Sequence, residues 1–556
     1  MREKTSEILR SYFNTQAKDE ASQKQAIIET AARFIKSDIK SSVASVTNEY
    51  PSSTSLSIDS ALLFLPDTLR TLLNCLFVSK ETGRKVAAIG QAIVQAVRPR
   101  AVLAPLQIGL ALQAHHLYRS EFLVNTLHAM GFGSSYKEVL RFEKNAADLA
   151  APDMLVDEMD LLDIGLLFAG DNVDHNILTV DGKGTFHGMG IIAALIPGRK
   201  KDRLIPRKNI ANLEFAAKGK IPIIEHRFAK HVRQTIVFEH TPTLVNIDRT
   251  IDVLWELSLN FKDETPGWQG MMHIIHQGLD HPGQSSIVFL PMIDLYSGDK
   301  TCILSTLNFV CDLSSKHQVP PIITFDQPLY WKAAEIITDA PEASQLKNIV
   351  LMLGCFHTFM NLLGAIGKLM EGTGLTNIME VVYGENAVHH MMTGKSVQRA
   401  FRGHLLVDRC LNHMVVSDLL EDNPEFESLV DQAGEMYAPL LAKEMTLESA
   451  VASDTLNQIK ERISTRKEEL VSRSKTSQLW INYQKMLQTA RDLIKADRTG
   501  SWMMHLRSVL DCLPIFAAAG HFNYLKSAYL YLQEMSKLES RHPDVQYMLI
   551  LPKVCM

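Results

Sequence analysis

The feature that most constrains the fold is the stretch from residue 285 to residue 357, where short apolar runs alternate with helical segments. The apolar runs are bounded by proline, glycine and polar residues, and they cover residues 287–295, 322–325 and 349–353. The segments between them, residues 301–317 and 329–337, carry apolar side chains at the spacing of an α-helix. Strands that alternate with helices indicate βαβ units, so this stretch predicts a largely parallel sheet.

An aspartate stands directly after the second of these predicted strands. Asp326 is followed by Gln327 and Pro328 and then by the next predicted helix. Functional groups in open α/β sheets collect at the carboxyl ends of the strands, which makes Asp326 a candidate for chemistry. The alternative is that Asp326 only caps the helix that follows it.

A β-hairpin with an acidic first strand precedes this stretch. Residues 165–179 and 186–196 are β-rich runs, separated by a glycine-rich turn at residues 181–184. The polar side chains within the first run are costly to bury without partners; they are Asp171, Asp174, His175 and Asn176. Residues three apart on a strand face opposite sides, so Asp171 and Asp174 cannot both point to one site without a bulge. Asp171 is the first choice for a site residue, and Asp174 is held in reserve.

The order of these elements resembles the ribonuclease H-like core of DDE-type transposases and integrases. That order is a β-hairpin with an acidic first strand, a third strand, a helix, a fourth strand ending at Asp326, a helix and a fifth strand. The chain also resembles a set of uncharacterised, transposon-derived animal proteins. The stretches that carry this second resemblance are DNVDHN, GTFHGMG, ITFDQPLYWKA, LGCFHTFMNLLGAIGKLMEGTGL, FRGHLLVD, RTGSWMMHL and GHFNYLKSAYLYLQ.

The resemblance to DDE-type enzymes implies a fold, a site and a reaction. The implied fold is α/β, with a ribonuclease H-like mixed sheet embedded in largely α-helical N-terminal, C-terminal and insertion domains. In that family one aspartate on the first strand, one after the fourth strand and a later acidic residue hold two divalent cations during phosphodiester transfer. The matching positions are Asp171 and Asp326, and an all-oxygen site implies Mg²⁺ or Mn²⁺ as the cofactor.

The third carboxylate has two candidates in the sequence. Glu534 is the first choice; it lies in a late helix and implies a large helical insertion after the fifth strand. Its helix carries Ser527 and Tyr531 on the same face, which would line a polar cleft or simply meet water. Glu371 is held in reserve, since it lies closer to Asp326 but directly before glycines that can end a helix. Glu380 and Glu385 are fallback positions.

His357 follows the fifth predicted strand in the sequence Cys355-Phe356-His357. At a junction of strand and helix, this histidine is a reserve site residue that positions a phosphate or orients the metal site. The alternative is an ordinary core histidine whose ring is hydrogen-bonded. A zinc site is excluded because no further ligands occur at matching spacing.

Two local cationic clusters predict contacts with DNA. The chain has 57 basic and 62 acidic residues and a net charge of −5, so DNA binding has to come from such clusters. One cluster follows the hairpin and contains Arg199, Lys200, Lys201 and Arg203; the other lies in the helical region and contains Lys395, Arg399 and Arg402. Both compositions fit phosphate contacts, and both also occur on solvated surfaces.

The remaining pattern predicts the domain order. The predicted order is a polar, partly disordered N-terminal segment (1–57), a helical domain (58–157), the α/β core (158–358) with an insertion (198–284), a helical insertion domain (359–513) and a C-terminal helix (514–556). The sequence ends abruptly after this helix, as expected of a truncated gene product. Within the helical domain, residues 120–149 predict two helices joined by a glycine turn, with a capping box formed by Ser135 and Glu138. This pair is either a DNA-reading helix-turn-helix, with Lys137, Arg141 and Lys144 facing the duplex, or an ordinary helical hairpin.

The resemblance to DDE-type enzymes implies a protein that cleaves and transfers DNA strands, or an inactive or domesticated descendant of one. The alternative is a non-catalytic DNA- or protein-binding module. The seven cysteines contain no CxxC pair, which argues against a disulfide framework. Because the sequence has no signal core and no membrane-spanning run, we expect an intracellular, nuclear protein without membrane contact. The expected partner is DNA, and the protein could form a homo-oligomer.

Overall fold

The computed structural model describes residues 20–43, 48–77, 82–99, 101–149, 165–176, 185–196, 204–208, 221–227, 246–261, 266–276, 285–421 and 423–550. The chain forms two compact units, and each is described separately. The first unit comprises Met1–Glu158 and Lys200–Gly219, and the second comprises Met159–Arg199 and Lys220–Met556.

The first unit is built of helices. They are α1 (Glu20–Ser42), α2 (Ile58–Leu63), α3 (Asp67–Leu76), α4 (Thr82–Val97), α5 (Pro105–Tyr118), α6 (Glu121–Ala129) and α7 (Tyr136–Leu149), with a 3₁₀ turn at Ser53–Leu56. Apolar side chains of α1, α3 and α4 form one core, in which Ile39 and Val86 are fully buried. Residues 204–208 belong to this unit, since the amide of Tyr50 donates to the carbonyl of Ile205 at 2.8 Å.

The hairpin of α6 and α7 uses Glu138 differently from a capping box. Ser135 Oγ accepts the Glu138 amide hydrogen at 3.3 Å, as the box predicts. The Glu138 carboxylate instead accepts hydrogen bonds from Tyr50 (2.9 Å), Arg207 (2.7 and 2.9 Å) and Arg141 (3.3 Å). Arg141 is therefore part of an internal ion-pair cluster, which favours the ordinary helical hairpin at this position.

The second unit is a mixed α/β structure. Its elements in chain order are β1 (Gly165–Asn176), β2 (Thr185–Ile196), α8 (Thr250–Glu256), α9 (Trp268–His276), β3 (Ser286–Phe289), α10 (Lys300–Lys316), β4 (Ile322–Phe325), α11 (Gln327–Asp339), β5 (Val350–Leu353), α12 (Cys355–Leu369), α13 (Leu375–Glu380), α14 (Glu385–Met392), α15 (Val397–Leu420), α16 (Pro424–Ala442), α17 (Leu447–Val451), α18 (Asp454–Arg473), α19 (Lys475–Thr499), α20 (Trp502–Ala518), α21 (Phe522–Ser536), α22 (Leu538–Arg541) and α23 (Pro543–Ile550). Short 3₁₀ turns occur at Leu257–Leu259 and Gln345–Asn348.

The strands form one five-stranded sheet with the order β3-β2-β1-β4-β5. Strand β2 is antiparallel to β1 and β3, and strand β4 is parallel to β1 and β5. Helix α11 provides the crossover between the parallel neighbours β4 and β5, and α10 connects β3 to β4 across the sheet. Since all of β5 and nearly all of β4 is buried, these strands are continuous apolar runs in the sequence.

Two glycines bring the backbone of α12 against the turn that precedes α15. A Cβ atom at Gly367 would lie 2.0 Å from the carbonyl oxygen of Met392. Gly394 has a φ of +75°, and a Cβ atom there would lie 2.3 Å from the carbonyl oxygen of Met360. Only residues without a Cβ atom permit this approach, and it fixes the position of Lys395.

The β-hairpin, β4, β5 and the helices between the later strands confirm the predicted elements. The third strand is shorter than predicted: β3 ends at Phe289, and Pro291 has no amide hydrogen to extend the ladder. The N-terminal segment contributes α1 to the helical core because Ile39 and Val43 pack into it.

Two predicted regions are divided differently in the structure. The single helix expected in residues 514–556 is replaced by the end of α20 and by α21, α22 and α23; the chain turns at Gly520, which has a φ of +73°, and at Pro543. The insertion expected at residues 198–284 is split, since residues 204–208 join the first unit whereas α8 and α9 join the second. No helix among the described residues is long and apolar enough to cross a membrane.

Candidate carboxylate site beside the parallel strands β1 and β4

The register of the sheet brings Asp171 and Asp326 to neighbouring positions. Gly170 of β1 pairs with Phe325 of β4, so the next residue on each strand is an aspartate. Paired residues of parallel strands project to the same face, and both side chains therefore start from one side of the sheet. Gly170 has room for no side chain of its own, because a Cβ atom there would lie 2.4 Å from the Phe325 ring.

Asp326 caps the helix that follows it and also lies near a second carboxylate. It is the N-cap of α11, and its Oδ1 accepts the Leu329 amide hydrogen at 3.1 Å. Burial raises the pKa of Asp326, and the charge of Asp171 acts in the same direction; the Leu329 amide, His357 and Lys332 oppose them. A carboxyl group whose pKa is raised by a neighbouring carboxylate is a group that a cation would stabilise in its charged form.

The end of β5 places His357 at the same edge of the sheet. The Gly354 amide donates to the Phe325 carbonyl at 2.7 Å, and a Cβ atom at Gly354 would lie 3.0 Å from that oxygen. The first turn of α12 therefore begins beside the end of β4. His357 is half-buried there and lowers the pKa of Asp326, as expected of a reserve residue close to the carboxylates.

Helix α21 supplies one side chain near Asp326 that sequence reasoning missed, Tyr524. Gln327 Nε2 donates to the buried Ser527 Oγ at 3.1 Å, which holds α21 against the start of α11. Tyr524 lies near Asp326, and burial together with the Asp326 charge raises the pKa of Tyr524 to about 12. Tyr524 is thus a protonated phenol at neutral pH and can donate a hydrogen bond. The polar face chosen from the sequence is largely buried, since Ser527 and Tyr531 are both 0% exposed.

Asp174 is separated from this edge. Its Oδ1 lies 2.6 Å from His187 Nδ1 on the neighbouring strand, and its Oδ2 accepts from Asn172 at 3.2 Å. Because Asp174 lies three residues after Asp171 on the same strand, its side chain starts from the opposite face of the sheet.

The structure does not bring Glu534 or Glu371 to Asp326. Glu534 lies seven residues beyond Ser527, a distance of roughly 10 Å along the helix axis. Its carboxylate pairs with Arg541 at 2.5 Å and lines a cavity with Val350, at the opposite end of β5. Glu371 is exposed beyond the far end of α12, roughly 20 Å of helix from His357. The fallback residues Glu380 and Glu385 are exposed at the end of α13 and the start of α14.

A different acidic residue, Asp497 of α19, approaches the end of β5. Its carboxyl group lies close to the thiol of Cys355, the first residue of α12. Burial raises the pKa of Asp497 to about 6 and the pKa of Cys355 well above its usual value. The sequence segment KADRTG gave no signal for this role, because the contact depends on how α19 packs on α12.

A cationic basin lies next to the first turn of α12. This basin, with a volume of about 1160 Å³, is lined by Phe356, Tyr383, Trp255, Lys395, Arg399, Arg402, Arg409 and Arg498, among others. None of its lining residues is acidic. The structure thus groups the three cations chosen from the sequence, and it adds Arg409 and Arg498. The other predicted cluster, Arg199, Lys200, Lys201 and Arg203, lies outside the described residues.

The donor set at the sheet edge fits one hard cation better than two. Asp171 and Asp326 offer carboxylate oxygens, and Mg²⁺ commonly binds through one or two carboxylates and retained waters. Among the residues that the structure describes, no group of three or more histidine, cysteine or acidic side chains is arranged to hold a metal ion. A two-metal site of the kind implied by the resemblance needs a further acidic ligand at this edge.

Comparison with known proteins adds a family but no activity. The model of the family described as Domain of unknown function (DUF8702) matches residues 267–552, which include β3 to β5 and the helical region up to α23. No curated protein and no solved structure matches the chain with significance.

Proposed function

Given that the chain belongs to the family Domain of unknown function (DUF8702), we propose from geometry that it is a ribonuclease H-like protein that cleaves and transfers DNA strands. The observation that carries this proposal is the pairing of β1 with β4, which sets Asp171 beside Asp326 at the point where the parallel pairing of these two strands ends. The order of strands and helices also agrees with the order on which the resemblance to DDE-type transposases rests.

The two carboxylates would hold Mg²⁺ or Mn²⁺, which when bound neutralises charge on a phosphodiester and activates water. The protein's own residues prepare this site. Hydrogen bonding to Leu329 fixes the rotamer of Asp326, and Tyr524 offers a hydrogen-bond donor next to it. Lys332 places positive charge near Asp326, which favours the approach of a phosphate.

The basin next to α12 supports DNA as the substrate. Lys395, Arg399 and Arg402 are exposed there, and a surface with cations and no acidic neighbours attracts a phosphate backbone. Action on DNA implies the nucleus as the place of work, which is part of the same proposal.

A second candidate function is a DNA-binding module that has lost catalysis. The observation that favours it is the position of Glu534 and Glu371, which leaves the carboxylate pair without a third acidic partner among the described residues. In this case the basin would still bind DNA, whereas the sheet edge would not cut it.

One experiment separates these functions. The full chain is incubated with a labelled DNA duplex and with supercoiled plasmid in Mg²⁺ or Mn²⁺, beside the variants Asp171→Asn and Asp326→Asn. The matched control is Asp174→Asn, which changes the same residue type on the opposite face of the same strand. We expect cleavage by the wild type and by Asp174→Asn, and a loss of at least a hundredfold in the other two variants.

Each other outcome has a definite meaning. Equal cleavage by the wild type and Asp326→Asn would show that the carboxylate pair is not the active site. DNA binding without cleavage by any protein would favour the non-catalytic module. Neither binding nor cleavage would remove DNA from the proposal altogether.

A further inference from the structure

An exposed aromatic side chain lies between the sheet edge and the cationic basin. Phe356 occupies the first turn of α12, directly before His357, and is 62% exposed. It also lines the basin, together with the half-buried Tyr383. Since exposure of a large aromatic ring is unfavourable in water, a ring at the mouth of a cationic basin indicates a ligand with an apolar face.

The cations of the basin follow one side of α15. Arg399, Arg402 and Arg409 are spaced by three and seven residues, so they share a helix face over about 15 Å of its axis. Lys395 precedes them in the turn fixed by Gly394, and Arg498 reaches the basin from the end of α19. This row is long enough to contact successive phosphates of one strand.

A groove that contains both aromatic rings and cations should bind an unpaired strand better than a duplex. In a duplex the base faces are stacked inside, so a duplex offers phosphates to the arginines and nothing to Phe356. An unpaired strand offers both phosphates and the faces of its bases, which stack on aromatic side chains.

We propose that the cationic basin binds single-stranded nucleic acid, with a base stacked on Phe356, so that the substrate carries an unpaired segment beside the carboxylate pair. The binding part of this inference stands on the basin alone. The position of the unpaired segment relative to the cleaved bond rests on the proposed function.

The test measures binding of the full chain without metal, so that cleavage plays no part. Fluorescence anisotropy compares a blunt duplex, the same duplex with a single-stranded tail, and the tail alone, each made as DNA and as RNA. We expect the tailed duplex and the free strand to bind about tenfold more tightly than the blunt duplex. The DNA and RNA arms identify which nucleic acid supplies the strand.

Variants of the ring decide whether stacking is the cause. Phe356→Ala should weaken binding of the single strand about tenfold and leave the blunt duplex unaffected, while Phe356→Trp should restore the affinity. The matched control is Phe289→Ala, which removes another exposed phenylalanine that does not line the basin. Thermal unfolding of all three variants checks that the fold is retained.

The outcomes separate this inference from the proposed function. A single-strand preference that depends on Phe356 supports the inference even if the chain cuts no DNA. Equal affinity for the blunt duplex, or no effect of Phe356→Ala, overturns it even if Asp326-dependent cleavage is found. Absence of binding to every oligonucleotide overturns both.

Discussion

Arginines of the second unit occur in two contrasting settings. Arg491 is 2% exposed and forms a buried charge cluster with Asp252, Glu256 and Asp408. Its Nη2 lies 2.8 Å from Glu256 and its Nη1 lies 3.1 Å from Asp408. In the cationic basin, Arg399 and Arg402 are exposed, and no acidic residue is present among the lining side chains.

The electrostatics of the two regions differ accordingly. Burial works to lower the pKa of Arg491, but Asp408, Glu256 and Asp252 together raise it. Burial likewise raises the pKa of Asp408, against the effect of Arg491. In the buried charge cluster, Arg491 forms ion pairs with Glu256 and Asp408 of the same chain. In the basin, Lys395, Arg399 and Arg402 are exposed to solvent, where an anion can reach them.

The comparison teaches where to look for function. Charges that are buried and mutually paired stabilise one arrangement of α8, α15 and α19, and removing one leaves its partners uncompensated. Charges that are exposed and of one sign contribute little to folding and are available for binding. Variants in the two regions should therefore have opposite consequences for stability and for nucleic-acid affinity.

The largest effect is expected from Arg491→Leu. This change leaves Glu256 and Asp408 buried without their cation, and should lower the free energy of unfolding by about 3–5 kcal/mol. Urea titration followed by tryptophan fluorescence measures it, because all five tryptophans of the chain lie in the second unit. The matched control Arg399→Leu should change the free energy of unfolding by less than about 0.5 kcal/mol. Equal losses in both variants would erase the distinction between the two regions.

The next effect concerns the backbone contact that supports the basin. Gly367→Ala places a Cβ atom against the Met392 carbonyl, so α12 and the turn before Lys395 have to move apart. We expect a loss of about 1–3 kcal/mol in the free energy of unfolding, with weaker nucleic-acid binding. Gly384→Ala is the control, since its Cβ atom would meet nothing within 4 Å. Unchanged binding in Gly367→Ala would mean that the position of Lys395 is unimportant.

The same contrast explains which parts of the molecule sequence reasoning could predict. Strands β4 and β5 and the position of Asp326 follow from local patterns, namely apolar runs and the Asp-Gln-Pro start of a helix. Asp171 can be predicted as a site residue because a cluster of polar residues interrupts an apolar strand. The pairing of β1 with β4 comes from the resemblance to DDE-type enzymes and not from a local pattern, because residues 177–321 separate the two strands in the sequence.

The third acidic residue could not be found in this way. Glu534 was chosen from helix periodicity, which shows the face of a helix but not how far along a neighbour it lies. The hydrogen bond between Gln327 and Ser527 fixes how far along α11 the helix α21 lies, and it places Glu534 away from Asp326. Asp497 and Phe356 were missed for the same reason, since burial beside Cys355 and exposure at the basin are properties of packing.

A smaller effect is expected from the titration of Asp497. Its pKa is raised from 3.8 to about 6, so the folded state holds a proton between these values that the unfolded state has lost. Stability therefore falls as pH rises through this window, and the cost is complete above pH 6. Asp497→Asn, which keeps an acceptor for the Cys355 thiol, should unfold at a higher temperature than the wild type at pH 7.5. The two should unfold alike below pH 4; a difference that is independent of pH would rule out the titration as its cause.

The smallest effect on stability and the sharpest on binding are expected from the double variant Arg399→Gln, Arg402→Gln. Each cation that contacts a phosphate contributes about 0.7 to the slope of log affinity against log salt for a single strand. The double variant should lose about twice that slope, while its unfolding temperature stays at the wild-type value. Arg473→Gln is the control, because Arg473 is an exposed cation on α18 that does not line the basin. If the slope were unchanged in the double variant, Arg399 and Arg402 would belong to the solvated surface, and nucleic-acid contact would have to be sought elsewhere in the chain.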